Sequence, residues 1–219
     1  MTTAILLATL FAPSAHAGAA VSSEMVCSVQ PAVSRQPAWP ASECRRVAAA
    51  LNETKQPRTA AAMITLESDW RPGVAVEGLP GVFDIGLLGV RCVVRPESTA
   101  RATGARPAEI QTTTQTQTDG MLAGRCLNGP ARGHTLIELK DAVTNIRVAA
   151  QIMAEKRARF GKDWKFRYNG ATRENGYTRK VRVVEAALGG VRMATKSKRV
   201  RRLVELILAA VAPRIAMDR

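Results

Sequence analysis

Pro57-Arg-Thr-Ala-Ala-Ala-Met-Ile-Thr-Leu-Glu67-Ser-Asp-Trp70 is the stretch on which the reading of the fold turns. A proline is well tolerated at the first helical position, where its missing N–H would have had no partner. Pro57 is therefore expected to open a helix over Arg58–Trp70, with Pro72-Gly73 as its stop. Apolar residues recur at Ala60, Met63 and Ile64, and Glu67 follows them by seven, four and three residues. Those offsets place Glu67 on the inward face of the helix. A carboxyl at the end of an apolar stripe is partly desolvated, which disfavours its charged form and keeps it protonated nearer neutral pH. Such a group suits general acid catalysis. A solvated surface glutamate is the other reading of that position, and Asp69 reads as a solvated residue at the helix end.

Working outward, Ser42 is a candidate N-cap for a helix starting at Pro40-Ala-Ser-Glu43 and running through Leu51. Residues 18–40, rich in Ser, Pro and Ala, read as an extended leader tied down by Cys27. On the other side, Gly73, Gly78, Gly81, Gly86 and Gly89 mark a folded loop or small hairpin. Gln111–Thr118 is a polar, low-complexity tract that cannot bury a core face, and reads as part of a surface insertion. Helical periodicity returns at Leu136, Leu139, Val143, Ile146, Ala150 and Met153. Asp163–Gly176 reads as a loop. Val181–Leu188 reads as a helix broken at Gly189-Gly190, and Arg199–Val211 as a last helix before Pro213. No long alternating strand pattern appears, so the fold class is mainly α.

The chain's 219 residues support one substantial domain or at most two small ones, and 46% hydrophobic with 23% charged residues describes a globular protein. A net charge of +14 calls for a polyanionic neighbour: nucleic acid, an acidic membrane surface or an anionic wall polymer. The N-terminus decides among these. Ala4–Ala12 is apolar but too short to span a bilayer, and Pro13-Ser14-Ala15-His16-Ala17 offers small residues at 15 and 17 for cleavage. Residues 1–17 thus read as a signal peptide, weak only in lacking a basic residue before the apolar run; a buried N-terminal helix is the alternative. Export makes nucleic acid a poor partner. Cys27, Cys44, Cys92 and Cys126 make an even count, which in an exported chain favours two disulfides. Three connectivities exist, and Cys27–Cys44 with Cys92–Cys126 is preferred because each pair brackets one loop-rich stretch. There is no C-x-x-C pair and one of the two histidines, His16, lies in the signal, so no metal is expected.

Leu66-Glu67-Ser68-Asp69-Trp70 resembles the E-S-x-[FW] signature of the lysozyme-like lytic transglycosylases (soluble lytic transglycosylase or goose-type lysozyme-like domains). Phe83-Asp84-Ile85-Gly86-Leu87-Leu88 resembles that family's D-x-G-L-M-Q segment, and Asp141-x-x-x-Asn145-Ile146 the start of its next long helix. Arg167-Tyr168-Asn169-Gly170 resembles A-Y-N-x-G, and Tyr177-x-x-Lys180-Val181 the closing Y-x-x-K-V. All stand in the family's order. Two departures matter: Gly89 stands where the family has a sugar-contacting glutamine, and the segment from Gly89 to Asn145 is longer than usual. The insertion Arg91–Arg132 leaves the chain just after Gly89, so it reads either as a groove wall that supplies the missing contact or as a surface loop attached there.

The resemblance implies a lysozyme-like helical domain over 41–190 with an insertion over 91–132, a Gly-rich loop or small hairpin beside the groove, and a basic C-terminal helix over 191–219. It implies that Glu67 is the single general acid/base that cuts between N-acetylmuramic acid and N-acetylglucosamine, closing a 1,6-anhydro ring without cofactor or metal. Ser68 would bond near the acid or the sugar, or else cap its helix. Tyr168 would place its hydroxyl against the acetamido group, or pack; Asn169 would hold the loop, and Tyr177 would join the substrate site. Leu87 and Leu88 would wall the sugar site or pack in the core, as Trp70 and Trp164 are expected to do. Asp84 would be a second acid positioning water, or a loop-fixing hydrogen bond. The expected partners are peptidoglycan glycan strands, met as a monomer; the basic run Lys196–Arg202 reads by default as a solvated helix face, or else as a site for an anionic wall polymer or membrane surface. A hydrolase on the same fold, a catalytically weak wall-binding protein and a basic nucleic-acid binder are the competing readings.

Overall fold

Ser22 opens the first helix: its side chain accepts the Met25 amide, capping α1 (Ser23–Ser34) in a computed structural model that describes residues 20–94 and 124–217. The leader is therefore helical and not extended. Met25, Val26, Val29 and Val33 supply an apolar face at helical spacing, and Pro31 removes one amide bond without stopping the helix. The apolar periodicity outweighs the Pro and Ser content because its face is buried against the core. Buried Gln30 then fixes the exit, its amide donating to Ser34 and the Pro37 carbonyl while its carbonyl accepts from the Trp39 amide.

Helix α2 (Ala41–Asn52) starts after Pro40, and Ser42 is not its cap; no side chain caps it. The Asn52 amide exchanges two hydrogen bonds of 2.9 Å with the Val21 backbone, closing the α1–α2 pair at its open end. Cys27–Cys44 staples the same pair, with Cα atoms 5.5 Å apart.

Helix α3 (Pro57–Glu67) is the centre of the molecule. Every residue from Thr59 to Leu66 is buried, so it has no solvated face at all; it is a core helix and not an amphipathic one. It also ends three residues earlier than expected. Asp69 and Trp70 both take left-handed backbone angles, φ 50° and 61°. The turn drives the Trp70 ring into the core, edge-on to Trp39 with centroids 6.3 Å apart, and lets its indole N–H reach Thr65 Oγ1 at 2.8 Å. That packing, not Pro72-Gly73, stops the helix.

The Gly-rich stretch forms an antiparallel sheet of three strands, β1 (Ala75–Leu79), β2 (Val82–Ile85) and β3 (Val90–Val93), in that order. β3 is an addition to the expected hairpin. Four residues are too few for an alternation to register in the sequence, although Val90 and Cys92 face inward as a strand requires. Cys92–Cys126 joins β3 to the chain returning from the insertion, with Cα atoms 5.1 Å apart. Residues 1–17 and the Gln111–Thr118 tract lie outside the described residues.

Asp141 caps α4 (Ala142–Phe160) by accepting from the amide and hydroxyl of Thr144, each at 2.9 Å. One turn in, buried Asn145 pegs the sheet to this helix: it accepts from the Leu88 amide and donates to the carbonyls of Ile85 and Leu139. Gly86 makes that possible, since a Cβ there would lie 2.3 Å from the Asn145 amide nitrogen. The expected loop at 163–176 contains a short helix, α5 (Trp164–Tyr168), anchored by buried Trp164 and Phe166. α6 (Tyr177–Leu188) starts four residues before the expected Val181, and α7 (Lys198–Met217) continues past Pro213. α7 packs on α1 and α6. The fold is thus mainly helical with one small sheet. Two disulfides indicate an oxidising location outside the cytoplasm. Among the described residues no helix is long and apolar enough to cross a membrane.

Candidate active site

Glu67 ends α3 at an open groove of about 390 Å³. The groove runs between the β2–β3 side, the base of the insertion, and helices α4 and α5. Because the helix that carries it is buried from Thr59 to Leu66, the Glu67 carboxyl is largely withdrawn from water, and desolvation raises its pKa above the ordinary carboxylate range. Two hydrogen bonds and the charge of Arg199 oppose this by favouring the ionised form, while Asp84 adds to it; burial wins.

The two oxygens of Glu67 are in different situations. Oε1 accepts from the Tyr177 hydroxyl at 2.5 Å and from the Asn169 amide at 3.4 Å. Oε2 has no hydrogen-bond partner among the described residues and faces Gly89, where an added Cβ would stand 3.8 Å away. One oxygen is therefore held and the other is presented to open space. Tyr177 is a dependable donor, since burial and then the neighbouring Glu67 charge push its phenol pKa well above the usual value. Tyr168 is shifted the same way for the same reasons, and its hydroxyl donates to the Leu88 carbonyl at 2.9 Å, joining α5 to the sheet side.

Of the residues singled out from the sequence, Glu67, Leu88, Tyr168 and Asn169 line the groove together, and Tyr177 stands behind Glu67 as its donor. Ser68 and Leu87 do not join them. Ser68 is 2% exposed and donates its hydroxyl to the Ile64 carbonyl, as a helix-end residue does. Leu87 and Leu88, in the tight turn between β2 and β3, are both fully buried, but only Leu88 borders the groove, where its carbonyl accepts from Tyr168. Trp70 and Trp164 are core residues. Asp84 lines the groove but forms a two-point ion pair with Arg91, its partner across the β2–β3 ladder, at 3.0 and 3.1 Å.

The base of the insertion does line the groove, whereas the sequence did not point to the part of the opposite wall that α4 and α5 supply. The base of the insertion supplies Arg91, Asn128, Gly129 and Pro130, while α4 supplies Ile152, Glu155 and Lys156 and α5 supplies Arg167. The Asn128 side chain ties this base together, accepting from the Val93 amide and donating to the Arg91 carbonyl. Ile152 and Lys156 sit one helical turn apart, a spacing indistinguishable in sequence from any other exposed helix face. Among the described residues no three His, Cys, Asp or Glu side chains are grouped to hold a metal. Comparison of the chain with protein-family models, curated proteins and solved structures gives no match.

Proposed function

We propose that this chain is an exported enzyme that cuts the glycan strand of peptidoglycan as a lytic transglycosylase, on a lysozyme-like fold, with Glu67 as its only acid/base. One observation carries the reading: Glu67 is desolvated, has one oxygen held by Tyr177 and Asn169, and presents the other to an open groove. The ordered set of resembling motifs adds the substrate class.

In this reading the Oε2 proton passes to the glycosidic oxygen between N-acetylmuramic acid and N-acetylglucosamine as the C1–O bond breaks and its electron pair leaves with that oxygen. The substrate's acetamido oxygen stabilises the cationic C1. The carboxylate left on Glu67 is supported by the Tyr177 and Asn169 donors until it takes the proton of the muramyl 6-hydroxyl, whose oxygen closes on C1. A buried acid with two donors on its spectator oxygen suits both halves: burial favours the proton-bearing form and the donors limit the cost of losing it. The commitment of Asp84 to Arg91 favours this single-carboxylate route over hydrolysis by a carboxylate pair. Mass spectrometry of fragments released from purified sacculi tests the assignment. Anhydro-muramyl ends support it, reducing ends would make the protein a hydrolase, and absence of release would leave a wall-binding protein.

A further inference from the structure

Beyond the acid, the groove wall carries cations that no carboxylate balances. Arg91 is spent on Asp84, but Lys156 and Arg167 have no ion-pair partner among the described residues. Both gather about one aromatic ring, which they share with exposed Arg159 at 5.1 Å: the Lys156 ammonium is 5.6 Å and the Arg167 guanidinium 5.2 Å from the Phe160 centroid. The guanidinium is also 5.4 Å from the Phe166 ring, and its Nε is buried without a hydrogen-bond partner. Three like charges held at one ring repel one another, and the nearest groove carboxylate in sequence, Glu155, is exposed and makes no ion pair with Lys156 or Arg167. Aromatic faces fix the planar guanidinium in place before any ligand arrives. Arg167 precedes by two residues the Asn169 whose amide touches Glu67, so the cations lie along the same channel as the acid.

We infer that Lys156 and Arg167 form a carboxylate-reading wall, which makes the enzyme select an anionic, muramyl-bearing glycan over a neutral amino-sugar polymer. This rests on the proposed glycan-cleaving function and adds its specificity. Every second sugar of peptidoglycan carries a lactyl ether whose carboxyl is free in stripped strands and amide-linked to a peptide, itself acidic, in mature strands. Either source offers the same group, and a fixed guanidinium with an ammonium beside it fits it. An uncharged chitin-like strand would leave both cations desolvated and unpaired.

Initial rates at low substrate test this on four substrates: peptide-bearing strands, amidase-stripped strands, and each of these with its carboxyls converted to amides. The wild-type enzyme is expected to cut a carboxylate-bearing strand about tenfold faster than its amidated counterpart. The strand type that shows the advantage identifies the peptide or the lactyl group as its source. In the Lys156→Gln/Arg167→Gln double variant the ratio should fall to near one. Lys156→Gln alone should lower it part-way, which covers the case in which loss of Arg167 disturbs the fold. A matched loss of two exposed cations elsewhere, Arg45→Gln/Arg179→Gln, should leave the ratio in place and so exclude the net charge of +14 as the cause. A wild-type ratio near one, or a ratio that survives both wall variants, overturns the inference while leaving cleavage intact. Failure to cut any strand removes the functional reading beneath it.

Discussion

Glu67 has helices on one side and a sheet on the other, and the two sides are built differently. On the helical side α3 is buried from Thr59 to Leu66, Tyr177 from α6 grips the Glu67 carboxyl, and Glu185 of α6 accepts from Thr59 of α3 while pairing with Lys165 of α5 at 3.9 Å. Arg199 of α7 closes the end of α3, donating to the Leu66 carbonyl at 3.1 Å and to Asp69 at 3.0 Å. On the sheet side β1 is exposed along its whole length, the strands have four or five residues, and order comes from the Asn145 peg, the Asp84–Arg91 pair and the Cys92–Cys126 bridge. The helical side therefore sets the protonation and aim of the acid. The sheet side, with the insertion base, forms the groove wall that faces α4 and α5.

The sharpest way to break this division is Glu67→Gln, expected to reduce cleavage by roughly 10³-fold or more, measured as released muropeptide. The variant should not lose stability at neutral pH. Burial raises the folded-state pKa of Glu67 above its unfolded value, so the folded chain binds more protons between the two, and stability falls as pH rises through that window. Glutamine escapes this loss. Its melting temperature should equal or exceed the wild-type value at pH 7, with any gain vanishing below the ordinary carboxylate range. Wild-type activity should correspondingly decline as pH rises past the elevated pKa. A pH-rate profile declining already in the ordinary carboxylate range would contradict a desolvated acid.

The two disulfides offer the next test, since they do the same chemistry in different places. They close loops with separations of 17 and 34 residues, so removing either should cost on the order of 3 kcal/mol, with about 0.6 kcal/mol more for the longer. Cys27→Ser/Cys44→Ser, far from the groove, should lower the melting temperature and leave the rate of the folded fraction unchanged. Cys92→Ser/Cys126→Ser should lower both, because Arg91 and Asn128–Pro130 form a groove wall. Equal activity in the two variants would mean that the sheet side does not shape the site.

Arg199→Met asks how far the helical side extends. Losing the bonds to Leu66 and Asp69 should destabilise the protein by about 1 kcal/mol and reduce the rate several-fold. Since the Arg199 charge holds the Glu67 pKa down, its removal should also move the alkaline limb of the pH-rate profile upward. A structural role without influence on the acid would leave that limb in place. The smallest effect is expected from Gly89→Ala. Its Cβ would meet Glu67 Oε2 at an ordinary 3.8 Å, so the cost is the left-handed backbone, φ 57°, at about 1 kcal/mol by thermal melting. A large loss of activity in that variant would show that substrate needs the space above Oε2.

Much of this architecture was legible in the residues alone. Pro57 and the positions of Ala60, Met63 and Ile64 announced α3 and turned Glu67 inward, and the cysteine spacing favoured the pairs that form. Asp141 and Asn145 belonged to a resembling motif whose physical role, capping α4 and pegging the sheet, emerges from their hydrogen bonds. Local covalent constraint and helical periodicity are properties of neighbours in sequence, and these a sequence carries openly. Other features depended on residues far apart. The left-handed turn at Asp69–Trp70 exists because Trp39 and Thr65 receive the indole, and α1 is helical because α2 and α7 cover its apolar face. Tyr177 reaches Glu67 across 110 residues, and Ser68, adjacent to the acid in sequence, turns away from the groove. Lys156 and Arg167 look like ordinary surface cations until two helices bring them to one phenylalanine ring. The sequence determined that a carboxyl would end an apolar helix in a disulfide-tied, basic, mainly helical protein. Which of its oxygens is free and which charges face it were decided by tertiary packing, because desolvation and hydrogen-bond partnership depend on distance in space, not on spacing along the chain.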